Sequence, residues 1–433
     1  MAEERIRAKV EQKKDEPDER AVMAIPRRAK RLFRSLRAER RTLRQGLVAL
    51  VLSTVAGFVA GLTLSGIGDT LRTLPGLFIL IPAAVGMRGT IFGAIGARLG
   101  TTNAAGTFEV SRRKNGVLYQ NVYVAVVTTF GSSIWLAVLA KVAGAAFGKP
   151  SISVWSLVTI SVLGGALGSV FILLVTVTLS VLSYRRGWDL DSVSTPMVTA
   201  LGDMVTLPTL FLATYVVRNQ TANAIVSGIC LAAALYATLR AYTVSEPIVR
   251  RVILEMTAVI LLTPILDIFA GVLQEHRLVE LTAVPVLLIL IPPFVSQAGA
   301  LGGIFSSRIS SKLQIGVITP RGLPEPPALV DGTIVFALGV VVFSLIGIIA
   351  VGLATLTGHA PVSPGRVIAG ALLAGLIATP VTIVFSYYLA IVTYRFGLDP
   401  DNQTVPIITS VMDLAGVACV LFVMSVSGVL PHG

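Results

Sequence analysis

The chain has 433 residues, of which 54% are hydrophobic and only 13% charged, which excludes an ordinary water-soluble enzyme because too little polar surface remains to face solvent. The formal net charge of +12 does not point to nucleic acid, since fifteen of the 35 Lys and Arg fall within the first 46 residues and the others, Arg88 apart, sit at the ends of apolar runs. The expected solvent is a lipid bilayer.

Residues 1–24 mix Glu, Asp, Lys and Arg with little to bury, the composition of a solvated, disordered segment. From Arg27 to Arg44 nine basic residues stand against Glu39, with Leu32, Phe33, Leu36 and Leu43 at roughly helical spacing. This run is read as an orientation determinant, with an anionic lipid surface as the alternative partner. The first apolar stretch follows this tail and is itself of spanning length, so an uncleaved anchor is expected rather than a signal peptide.

Apolar runs of about 20 residues, enough to cross a hydrocarbon core of roughly 30 Å, then recur to the C-terminus. Eleven are expected, near 47–66, 74–99, 117–147, 152–183, 193–217, 222–242, 252–273, 279–306, 329–357, 365–394 and 404–430. They are too long and too uniformly apolar for barrel strands, so the expected class is an all-α integral membrane protein. With a cytoplasmic N-terminus, Arg98, Arg112, Arg113, Lys114, Arg185, Arg186, Arg240, Arg250, Arg251, Arg308, Lys312, Arg321 and Arg395 all fall at inner ends. Only Arg72, Lys141, Lys149, Arg218, Arg277 and Arg366 fall at outer ones, which satisfies the positive-inside rule and puts the C-terminus outside. A multi-pass protein of the plasma membrane (a cell's inner membrane) is the expected location. Cys230 and Cys419 lie inside apolar runs and match neither a disulfide nor a zinc spacing.

The chain repeats itself at a constant offset of 210 residues. Leu77, Ile79, Leu80, Ile81, Pro82, Val85, Gly89, Gly93 and Arg98 recur as Leu287, Ile289, Leu290, Ile291, Pro292, Val295, Gly299, Gly303 and Arg308. Later, Tyr184, Arg185, Gly187, Asp189, Asp191, Pro196, Thr199 and Asp203 recur as Tyr394, Arg395, Gly397, Asp399, Asp401, Pro406, Thr409 and Asp413. Many of these are polar, so apolar composition does not explain the match. Residues 1–46 form the basic tail, 47–217 and 249–433 two five-helix repeats, and 218–248 one extra linking helix. The odd linker makes the repeats parallel, related by an axis along the membrane normal.

Asp203 and Asp413 lie about eleven residues into their runs, roughly 16 Å deep at 1.5 Å per residue, near the bilayer midplane. An aspartate there costs about 2.5–3.5 kcal/mol on insertion scales and marks a functional site by default. Two such carboxylates facing one axis repel unless a cation or proton intervenes. Mg2+ suits them, because it sheds water reluctantly and is held by one or two carboxylates rather than by a full protein cage. Thr199 and Thr409, one turn earlier, are candidate supports for the ion's waters. Asp189, Asp191, Asp399, Asp401 and Asn402 stand at the cytoplasmic mouth, as cation attractors or as helix caps. Asp267 and Glu255 in the seventh run have no acidic counterparts, the matching positions being Gly57 and Gln45. Asp267 is read either as a carrier of a coupling Na+ or H+ or as a satisfied polar contact, and Arg88, also without a counterpart, is its candidate partner.

These motifs resemble the transmembrane domain of MgtE-type magnesium channels and, in their tandem form, solute carrier family 41. The resemblance runs from Leu47 onward and rests on the two Ile-Pro segments and on DLDSVSTPMVTALGD and DPDNQTVPIITSVMD. It implies that Asp203 and Asp413 bind hydrated Mg2+ as the transported ion, that Thr199 and Thr409 lie near supporting carbonyls, and that no organic cofactor is used. Where the family often has a Gly-Asn pair, this chain has Met87-Arg88-Gly89 and Gln297-Ala298-Gly299. MgtE channels also carry a cytoplasmic Mg2+-sensing region in place of the basic tail, so gating is expected to be intrinsic or the protein to be a coupled exporter. One chain supplies both halves, so a monomer suffices. The rivals are an intramembrane aspartyl protease, from Leu201-Gly202-Asp203 and Pro327-Ala328-Leu329, and a structural or lipid-scrambling protein.

Overall fold

A computed structural model describes residues 40–104, 109, 111, 113, 116–186, 190–243, 246–361, 363–396 and 400–430. The basic tail before residue 40 lies outside these, as do Asp189 and Asp399. Two compact units, Met1–Leu47 and Val48–Gly433, divide the chain, and the second holds the apolar helices.

The described residues are helical throughout their regular structure: α1 (Arg40–Gly66), α2 (Gly68–Thr73), α3 (Leu77–Ala104), α4 (Val117–Ala146), α5 (Val154–Arg186), α6 (Leu190–Val217), α7 (Gln220–Tyr242), α8 (Pro247–His276), α9 (Leu278–Ala283), α10 (Pro285–Gln314), α11 (Pro326–Leu356), α12 (Pro364–Arg395) and α13 (Pro400–Val426). Helix is what the sequence demands, since apolar residues run through each segment and lipid offers the backbone no hydrogen-bond partner. Ten of these helices are long and apolar enough to cross a bilayer. The eleventh expected span is α1, whose apolar part, Leu50–Gly66, is shorter.

Helix boundaries follow local chemistry. Pro247, Pro285, Pro326 and Pro364 open α8, α10, α11 and α12, where the missing N–H of proline costs no hydrogen bond. Gly148 and its counterpart Gly358 take positive φ (63° and 79°) just past α4 and α11. The Lys149 and His359 N–H groups then return to the Gly144 and Ala354 carbonyls at 2.8 Å, closing each helix with a left-handed cap that favours glycine.

The duplication is visible in the packing. Helix α3 lies against α4, α5 and α6, and α10 against α11, α12 and α13, while α5 pairs with α6 as α12 does with α13. Even the short helices α2 and α9 are counterparts residue for residue. α3 and α10 are the most buried spans, and α7, which lies against α4 and α5 and has no counterpart, is the least.

The first helix of each repeat reaches across to the other half. A Cβ on Gly61 of α1 would sit 2.9 Å from Ile289 Cα of α10, and one on Gly271 of α8 would sit 2.8 Å from Ile79 Cα of α3. Gly61 and Ile79 of the first half thus correspond to Gly271 and Ile289 of the second, so α1 and α8 each pack closely on the opposite half, α8 between α3 and α4 there and α13 of its own half. Glycine permits that approach because it leaves room for backbone against backbone. Gln297 fastens α1 further: its Nε2 donates to the Leu50 carbonyl (2.6 Å) and to Thr54 Oγ1 (2.7 Å).

A candidate cation path on the pseudo-two-fold axis

Contacts between a residue and its own counterpart must straddle the axis that relates the halves. One such contact marks it, and a pair of counterpart aspartates lies deeper. At the end of the bundle away from Arg308, Lys312 and Arg395, Arg72 of α2 meets Thr282 of α9 through Nε (2.9 Å) and Nη2 (2.7 Å). Within the bundle, Asp203 of α6 is buried and its counterpart Asp413 of α13 half-buried, and Asp203 lies within electrostatic reach of Asp413.

The two carboxylates have different neighbours. Asp203 is 9% exposed, and its Oδ2 accepts the Ser296 hydroxyl of α10 at 2.8 Å. Ser53 of α1 lies 2.6 Å from Ser296 Oγ; with the Ser296 hydrogen committed to Asp203, Ser53 donates into the chain. The counterpart of Ser296 is Gly86 on α3, and a Cβ there would come within 2.7 Å of Asp267 Oδ2 and 3.4 Å of Asp413 Oδ2. Where the first carboxylate has a hydroxyl, the second has another carboxylate.

Asp267 of α8 is fully buried, with Ser410 and Asp413 of α13 as its polar neighbours. Its counterpart Gly57 faces Pro293 so closely that a Cβ would lie 2.5 Å from the proline Cα. Shape therefore forbids a matching carboxylate in the first half. Three carboxylates gather where the low dielectric amplifies their repulsion, and among the described residues none of them joins an ion pair. Nor, among the described residues, do three His, Cys, Asp or Glu side chains come close enough to chelate a bare metal ion. The donor set suits a cation that keeps most of its water.

One expectation is corrected. Arg88 does not pair with Asp267: it is 3% exposed, Nη1 donates to the Ala84 carbonyl at 2.6 Å, and its guanidinium turns toward Gly165 and Gly168 of α5. Glu255 lies within the apolar stretch Val249–His276, where its carboxylate takes Arg251 Nε at 2.7 Å one turn away.

The Thr409 hydroxyl donates to the Pro406 carbonyl at 2.8 Å, and its methyl packs on Gly299. Thr199, Asp191, Asp401 and Asn402 belong to α6 and α13, their side chains lying outside the described residues. Sequence reasoning passed over Ser296, Ser53 and Gly86. The constant offset held the signal, since Ser296 for Gly86 is a polar-for-small difference inside an otherwise matched segment.

A family model described as MgtE, divalent cation transporter, matches the chain twice, at residues 81–213 and 291–423, which reproduces the offset of 210. Solute carrier family 41 member 3 of Rattus norvegicus is 22% identical over 396 residues, covering 86% of this chain and 84% of that protein. The Mus musculus member 3 is 24% identical over 363 residues (78% and 73%), and Gallus gallus member 2 is 25% identical over 397 (86% and 68%). Among solved structures, the crystal structure of eukaryotic MATE transporter AtDTX14 superposes at a TM-score of 0.33 with 13% identity over 90% of this chain and 96% of that one, a likeness too slight to inform the fold. With both matched segments falling on the two halves of an all-helical, multi-pass bundle, the chain belongs to the MgtE divalent cation transporter family.

Proposed function

We propose that the cation carried is Mg2+, moving along the pseudo-two-fold axis between the repeats, with Asp203 and Asp413 holding the hydrated ion. The observation that carries this reading is the presence of two counterpart aspartates within electrostatic reach in a bundle of apolar helices. Each costs about 2.5–3.5 kcal/mol to place there, and among the described residues no cationic side chain pairs with them. Mg2+ prefers oxygen ligands and keeps its water, so two carboxylates facing a hydrated ion suffice. Thr199 and Thr409, one turn away, support its waters. Residues 47–217 and 249–433 act as the two repeats and 218–248 as their link. The basic loops face the cytoplasm, and the plasma membrane is the site of action. A single chain is sufficient, and the Asp189, Asp191, Asp399, Asp401 and Asn402 mouth draws cations inward.

A second reading, efflux of the divalent cation in exchange for Na+ or H+, has one observation behind it: Asp267 adds a carboxylate to one half alone.

The test is flux into liposomes loaded with a Mg2+-sensitive dye. Asp203→Asn and Asp413→Asn should each reduce Mg2+ flux by an order of magnitude or more, about 1.4 kcal/mol per tenfold, in protein that remains monodisperse. Wild-type flux in both variants would end the axial-site reading. Dependence of wild-type flux on an imposed Na+ or pH gradient, lost in Asp267→Asn, would select exchange over a channel.

A further inference from the structure

The proposed path needs an end that closes, and one contact stands directly on its axis. Arg72 and Thr282 are counterparts, so their hydrogen bonds cross the pseudo-two-fold. The helices that carry them, α2 and α9, touch each other there, and Gly68 of α2 faces the Thr282 methyl, with room for a Cβ at 3.8 Å. The Thr282 hydroxyl hydrogen is spent on the Leu278 carbonyl (2.8 Å), which leaves its lone pairs turned toward the guanidinium. The Arg72 guanidinium repels a divalent cation on the same line.

We propose that the Arg72–Thr282 contact is the outer gate of this path: α2 and α9 close the mouth opposite the basic ends, and Arg72 must leave the axis before the cation passes. The inference rests on the axial reading above. Two features suit a gate. Arg72 is exposed, so water replaces its two hydrogen bonds at little cost when it swings away. And α2 joins α1 to α3 as α9 joins α8 to α10, so the gate is continuous with the first helices of the repeats, which carry Ser53 and Asp267.

In a background with Cys230→Ala and Cys419→Ala, Gly68→Cys and Thr282→Cys would be joined in liposomes by a short bis-methanethiosulfonate, each thiolate displacing a methanesulfinate to form a reducible disulfide, with joining checked by mass. Mg2+ flux should fall to the level of empty liposomes when the thiols are joined and return on reduction. Full flux through completely joined protein overturns the gate. Arg72→Ala needs no cross-link and should raise flux several-fold at a fixed gradient; unchanged flux there counts against it equally. Asp203→Asn in the unjoined background separates the two claims, since flux that survives that change sinks the path, and the gate with it, whatever the cross-link does.

Discussion

Replacing Gly271 by alanine would put a methyl 2.8 Å from Ile79 Cα and closer still to the Ile79 carbonyl oxygen. That is about 1 Å inside the ordinary contact distance of roughly 3.5–4.0 Å between carbon atoms. The obstacle is the backbone of α3, which cannot rotate away, so α8 as a whole must shift, and with it Asp267 one turn earlier. Overpacking of this kind costs about 1–3 kcal/mol or more. Gly61→Ala should behave in the same way, since its new Cβ lies 2.9 Å from Ile289 Cα. Gly228 of α7 is the control: a Cβ there meets nothing within 4 Å, so Gly228→Ala should stabilise its helix by about 0.5–1 kcal/mol. Unfolding by SDS titration in mixed micelles reads all three. If Gly271→Ala and Gly61→Ala unfold at the same SDS fraction as Gly228→Ala, the close packing of the first helices on the opposite halves is wrong.

Two further outcomes rest on single contacts. Asp331, fully buried, is held by Arg308 at 2.7 Å and Lys312 at 2.5 Å, so Asp331→Asn should leave two cations facing a neutral amide and cost about 3–5 kcal/mol in the same titration; a smaller loss than that of Gly271→Ala would show the cluster to be solvated. Gly86→Ala points its methyl at the ends of the Asp267 and Asp413 side chains rather than at backbone, so the fold should tolerate it while Mg2+ flux drops by roughly tenfold, the order expected of a 1–3 kcal/mol overpacking penalty. A normal dye signal in that variant would mean that the face of α3 bearing Gly86 does not border the path.

The spans were legible because a bilayer imposes one length and one composition on every crossing, and the duplication was legible because Asp, Arg, Pro and Gly recur at one offset where hydropathy alone would not place them. What the pattern withheld was direction. Hydropathy records that α1 and α8 are apolar, but that each packs on the opposite half is decided by Gly57, Gly61 and Gly271 meeting backbone on the opposite repeat, a steric matter silent in composition. The same limit applied to Arg88: its depth along α3 was readable, its rotation toward Gly165 and Gly168 was not.

The differences between the halves gather on the axis, and that says why one chain carries both. In a symmetric homodimer every residue appears twice. A doubled Asp267 would add a fourth carboxylate to Asp203 and Asp413 and would require, at Gly57, a side chain that Pro293 excludes. A doubled Arg72 would face its own charge across the mouth in place of the Thr282 oxygen that now accepts from it. Fusion allows each half to hold what the other lacks: hydroxyl opposite carboxylate at the Ser296 and Asp267 level, donor opposite acceptor at the Arg72 and Thr282 level. Exact symmetry would make the two sides of the axis equivalent at both levels, and neither the added carboxylate nor the cross-axis hydrogen bonds would survive it.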